Sequence, residues 1–78
     1  MNAVFTFDTT HHALWAEQIA SDIGAAAHIV QAPPAARARC SLALEVLEHD
    51  AARMERELTM RGVPHLRYRP ASVEGPET

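Results

Sequence analysis

Lysine is missing altogether: the seven basic side chains are all arginines, at Arg37, Arg39, Arg53, Arg56, Arg61, Arg67 and Arg69. That excludes Schiff-base chemistry on a lysine and the lysine of a phosphate-binding P-loop. Cysteine occurs once, at Cys40, so no intrachain disulfide is possible. The thiol is then a small buried hydrophobe, a reactive group, a metal ligand or an intermolecular link. Long apolar runs are lacking too: nothing approaches the roughly 20 residues a membrane span needs, and Met1 to Asp8 shows no basic region followed by an apolar stretch. The expected location is the cytoplasm, with no membrane partner. A net charge of -3 leaves no basic excess to neutralise phosphate backbones, so nucleic acid is not an expected partner.

With 78 residues, 47% hydrophobic and 22% charged, the chain has the composition of one folded domain with little room for a deep cavity. Ala3 to Asp8 alternates, Phe5 and Phe7 on one face and Val4 and Thr6 on the other, the pattern of a half-buried strand. Thr9 or Thr10 offers an N-cap oxygen, and Trp15, Ile19 and Ile23 recur at helical spacing until Gly24 stops the helix. Trp15 is assigned to the core on this pattern. Ala26 to Gln31 reads as a second strand, closed by Pro33-Pro34 because proline cannot donate to a ladder. In a third strand Cys40, Leu42, Leu44 and Val46 share one parity, with Ser41, Ala43 and Glu45 on the other. Asp50 is the expected N-cap of a second helix whose stripe is Ala51, Met54 and Leu58, with Gly62 at its end. Val63 to Arg69 forms a fourth strand, Leu66 and Tyr68 facing in and His65, Arg67 and Arg69 facing out.

The order β-α-β-β-α-β predicts an α+β, ferredoxin-like fold, a four-stranded antiparallel sheet with both helices on one face. Residues 1–70 form the expected single domain and residues 71–78 a flexible tail. In this topology the end of the first strand, the start of the first helix, the loop before Cys40 and the start of the fourth strand share one edge of the sheet. Cys40 therefore shares an edge with Thr9, Thr10, His11, His12 and His65. A thiolate is favoured near a helix N-terminus and near arginine, both of which this edge supplies. The pattern alone supports an apolar plug on the helix-facing side equally well.

Three segments, Phe5-Thr-Phe-Asp-Thr-Thr-His-His-Ala-Leu, Ala38-Arg-Cys-Ser-Leu-Ala-Leu and Arg61-Gly-Val-Pro-His, resemble the family of short bacterial proteins described as selenium/sulfur carrier-like. The resemblance spans nearly the whole chain to Pro70. Cys40 matches the family cysteine, whereas Ser41 stands where the family usually has glycine. What the resemblance implies is a carrier: Cys40 takes up sulfur or selenium as a persulfide or selenopersulfide and hands it to a partner protein. Arg37, Arg39 and the turn comprising Thr9, Thr10 and His11 would support the terminal anion, with His65 at the same edge. No second cysteine can resolve the persulfide internally, so donor and acceptor are other molecules.

Other features are less specific. His11 and His12 with Cys40 and His65 could suggest a metal site, but adjacent helical residues point about 100° apart, so no metal and no cofactor is expected. Arg67, Tyr68 and Arg69 suggest an RNA-reading sheet, yet Tyr68 is read as facing the helices. The open sheet face, with Val4, Thr6, Val30 and Ala43, could pair with a second copy as a homodimer. Two functions of different class stand: a carrier without turnover of its own, and an oligomeric binding module in which Cys40 only packs. An enzyme has the least support, since no base and oxyanion group can be placed around the thiol.

Overall fold

The computed structural model describes residues 2–68. Strand β1 (Asn2–Thr6) leads into helix α1 (Thr10–Ile23), then strand β2 (Ala27–Gln31), a 3-10 turn at Pro34–Ala36, strand β3 (Leu42–Leu47), helix α2 (Glu48–Met60) and strand β4 (Leu66–Tyr68). The sheet runs β2-β3-β1-β4 with every pairing antiparallel. This is the α+β ferredoxin-like arrangement the element order predicts. The proposed domain end at Pro70, Arg69 and the tail over 71–78 lie outside the described residues.

Alternation on β1 does what its sequence requires: Ala3 and Phe5 are buried against the helices, and Phe7 continues that face beyond the strand. Phe5, Ile19, Leu44, Val46, Met54 and Leu58 are fully enclosed, each contributing about 1.5–3 kcal/mol of transfer free energy. Both helices end the same way. Gly24 (φ 73) and Gly62 (φ 74) take the left-handed turn, and the next residues, Ala25 and Val63, each donate an amide at 2.9 Å to the carbonyl five residues back.

Five expectations are corrected, the last at the start of β3. Trp15 is 39% exposed, because α1 buries Ala13, Ala16, Ile19 and Ala20 and leaves Trp15 about 110° from the middle of that stripe. Asp50 is no N-cap: α2 begins at Glu48, and Asp50 sits in its first turn. Strand β4 has the opposite parity to the one read from its apolar residues. Tyr68 pairs with Val4 and Leu66 with Thr6 on the open face, while Arg67 pairs with Phe5 on the helix side and reaches Glu48 at 2.9 Å and Glu55 at 3.7 Å on α2. Thr6 (4%) and Ala43 (0%) are not exposed, since these small side chains lie in a cross-strand row between Val30 and Leu66.

The third strand starts two residues later than read, at Leu42, so Cys40 precedes it. Its amide nonetheless bonds the Phe7 carbonyl at 3.3 Å, and its side chain keeps the inward parity, 4% exposed. Asp50 acquires a structural role instead of a cap. One carboxylate oxygen accepts the Ala26 amide at 3.2 Å and the other accepts the Arg53 guanidinium at 3.1 Å, tying the first turn of α2 to the entry of β2. The Ala26 amide, with His49 and Arg53 alongside, holds this carboxyl below the usual aspartate range against the opposing effect of burial.

Candidate functional site

Thr9 is the N-cap of α1: its backbone is extended (φ -138, ψ 156) and its hydroxyl accepts the His12 amide at 3.1 Å. That fixes the first turn, so Thr10 points from the start of the helix toward the connection between β2 and β3. Thr10 Oγ1 lies 3.6 Å from Cys40 Sγ, a contact across 30 residues of sequence. From the other side the Leu42 amide donates to the same sulfur at 3.3 Å. When the sulfur is an anion, both Thr10 O–H and Leu42 N–H donate to it, at the positive end of α1. No acidic residue occupies the first turn of that helix.

Beside the thiol an open cleft of about 450 Å3 is cut into the same sheet edge. Arg37, Arg39, Asp8 and His65 give it polar walls, and Ala38 and Leu66 contribute apolar surface. Its wall includes Phe7, whose carbonyl accepts the Cys40 amide, so cleft and thiol share one stretch of backbone. Arg37 holds a left-handed backbone (φ 54), the only non-glycine residue with positive φ among those described. Arg37 and Arg39, like Arg56, make no ion pair among the described residues, whereas Arg53, Arg61 and Arg67 each pair with a carboxylate. His65 uses Nδ1 on the Val63 carbonyl at 2.8 Å and packs edge-on to Phe5. With Nδ1 donating, Nε2 is left as the ring's remaining polar atom.

The expected edge thus divides in two. Thr10 reaches Cys40, whereas Arg37, Arg39 and His65 line the cleft, and Thr9 acts through the helix cap. His11 and His12 fall outside both: His12 binds the Thr9 hydroxyl through Nδ1 at 3.0 Å, and both rings lie against Trp15 on the helix surface. No cluster of three or more His, Cys, Asp or Glu side chains with metal-binding geometry exists among the described residues, and none of their helices is long and apolar enough to cross a membrane. Two participants escaped the sequence reading. Asp8 could have been found, because it directly follows the first strand at the same edge; the Leu42 amide could not, because it depends on how the chain bends after Cys40.

No curated protein and no solved structure matches the chain. A family model does match, over residues 2–68, and it takes in both the thiol with its two hydrogen-bond partners and the neighbouring cleft. The chain belongs to the family described as "Putative Se/S carrier protein-like".

Proposed function

We propose that this chain is a sulfur or selenium carrier that uses Cys40 as its acceptor and donor group, in the cytoplasm, with no turnover of its own. The observation that carries the reading is the hydrogen bonding of the sulfur: Thr10 Oγ1 at 3.6 Å and the Leu42 amide at 3.3 Å, beside the first turn of α1. These are the partners a thiolate needs, and an apolar plug needs neither. In loading, the Cys40 thiolate attacks the terminal sulfur of a donor persulfide. The donor S–S bond breaks and its electron pair leaves on the donor sulfur, which takes the proton that Cys40 gave up in forming its thiolate. Unloading is the same exchange with an acceptor nucleophile attacking and Cys40 leaving, so neither step needs an oxidant or reductant. With one cysteine in the chain, the acceptor is another molecule.

Cys40 is 4% exposed, which sets a condition on the reading and favours a second one. As a carrier, the protein must open locally around the segment between β2 and β3 that carries Cys40, so that the sulfur reaches solvent. That segment is joined to the chain leaving β1 through the Cys40 to Phe7 bond of 3.3 Å. As a binding module, the protein would keep Cys40 as packing. Native-state alkylation separates the two. The carrier predicts labelling through a local opening, at a rate that low denaturant leaves unchanged and that exceeds global unfolding by at least tenfold. Labelling that tracks global unfolding at every denaturant concentration supports the module.

A further inference from the structure

The edge cleft holds charges that the thiol does not use. Arg37 and Arg39 border it without any carboxylate partner among the described residues, and Asp8 borders the same cleft without pairing to either. Two cations and one anion therefore face a common space at separations too long for direct ion pairs. A molecule that carries both signs a few ångströms apart satisfies them together. Its carboxylate would sit between the guanidiniums, which favour planar two-oxygen groups, and its ammonium would sit on Asp8. Apart from Thr6 and His65 the remaining wall is apolar, including Ala36, Ala38, Pro64 and Leu66, and suits a short, weakly polar side chain. The volume, about 450 Å3, falls within the roughly 300–1,000 Å3 of small-molecule sites.

We propose that this cleft binds a free α-amino acid with sulfur or selenium in its side chain. The zwitterion follows from the charges alone. The side chain rests on the carrier reading, since Phe7 and Arg39 of the cleft wall flank Cys40 through a hydrogen bond and a peptide bond respectively. The ligand serves as donor when it carries a persulfide: the Cys40 thiolate takes the terminal sulfur, the S–S bond breaks with its electron pair on the amino acid's sulfur, and the free amino acid leaves as its thiol with the proton that Cys40 gave up. Arg37, in its left-handed backbone, then has a reason to be arginine and not glycine: the position needs the charge more than it needs relaxed geometry.

The test uses the full chain labelled with 15N and the inert zwitterion S-methyl-L-cysteine. Saturable shifts are expected at the amides of Asp8, Arg37, Arg39 and His65. Binding should weaken at least tenfold for 3-(methylthio)propanoate, which lacks the ammonium, and for S-methylcysteamine, which lacks the carboxylate. Asp8→Asn should remove the preference for the zwitterion over the carboxylate-only compound, and Arg37→Ala with Arg39→Ala should abolish binding while the spectrum stays dispersed. No saturable shifts, or equal binding of the carboxylate-only compound, would overturn the proposal. The carrier reading fails separately: zwitterion binding in a protein whose Cys40 never acquires sulfur sinks the carrier and leaves the cleft. Loading of Cys40 by a protein persulfide donor without zwitterion binding does the reverse.

Discussion

Cys40 is held by two neighbours that differ in how far the sequence announces them. Thr10 follows the N-cap at the start of α1, and its meeting with Cys40 at 3.6 Å is a consequence of strand order, which brings that helix start over the end of the β2 to β3 connection. Replacing Thr10 with Val keeps the shape and removes the hydroxyl. With one hydrogen bond to the thiolate lost, worth about 1.5–3 kcal/mol when the acceptor is charged, alkylation of Cys40 should slow by roughly tenfold or more, measured under native conditions with the opening rate taken from amide exchange. Asp50 was legible as a helix-start residue and not as a tie, because its partner Ala26 lies 24 residues away. Its carboxyl titrates lower in the folded chain than in the unfolded one. The stabilisation is therefore fully present above the unfolded aspartate pKa of about 3.9 and is lost as pH falls through the lower native value. Asp50→Asn should reduce stability at neutral pH and flatten the acid limb of the stability curve below about pH 4, read from urea midpoints across that range.

At the scale of elements, periodicity and turn residues set the number, order and type of the four strands and two helices, because β1, β3 and both helices carry an apolar stripe at their own period and glycines or prolines separate the elements. It failed where a side chain's size or polarity was taken to decide its direction. Trp15 is the largest side chain on α1, yet the stripe that closes on the sheet is built of Ala13, Ala16 and Ala20 around Ile19, small residues that let the helix approach closely. Strand β4 is an edge strand of three residues, and what decides its parity is α2 overhead, whose Glu48 and Glu55 draw Arg67 to the helix side and send Leu66 and Tyr68 outward. No local pattern in Leu66-Arg67-Tyr68 contains that information. The consequence is measurable. Leu58→Ala, at a fully buried position of α2, should cost about 2–5 kcal/mol, and Trp15→Ala should cost less in the same denaturant titration, the reverse of the order residue size suggests.

Among the described residues, the sheet has one face sealed by the helices and one that no other element covers. The bare face carries a small-residue row, Val30, Ala43, Thr6 and Leu66, and a second row, His28, Glu45, Val4 and Tyr68, in which His28 and Glu45 pair at 3.0 Å. The candidate site lies at one edge of the sheet, where the start of α1 meets the connection that carries Cys40 and where Arg37, Arg39 and His65 line a cleft. The edge as a meeting place was legible in the sequence; the division into an enclosed thiol and an open charged cleft was not. That division follows from the turn at Pro34–Ala36 and the left-handed Arg37 after it, which set where the connection lies.

Whether Cys40 receives sulfur from a donor is read by intact-mass spectrometry of the native chain after incubation with a cysteine desulfurase and cysteine. The predicted result is a single sulfur-mass adduct that a reducing agent removes, that maps to the peptide containing Cys40, and that is absent from Cys40→Ser. A native, folded chain that gains no adduct under conditions in which the desulfurase persulfidates a control acceptor would contradict the carrier reading, and Cys40 would then be a packing residue of the core.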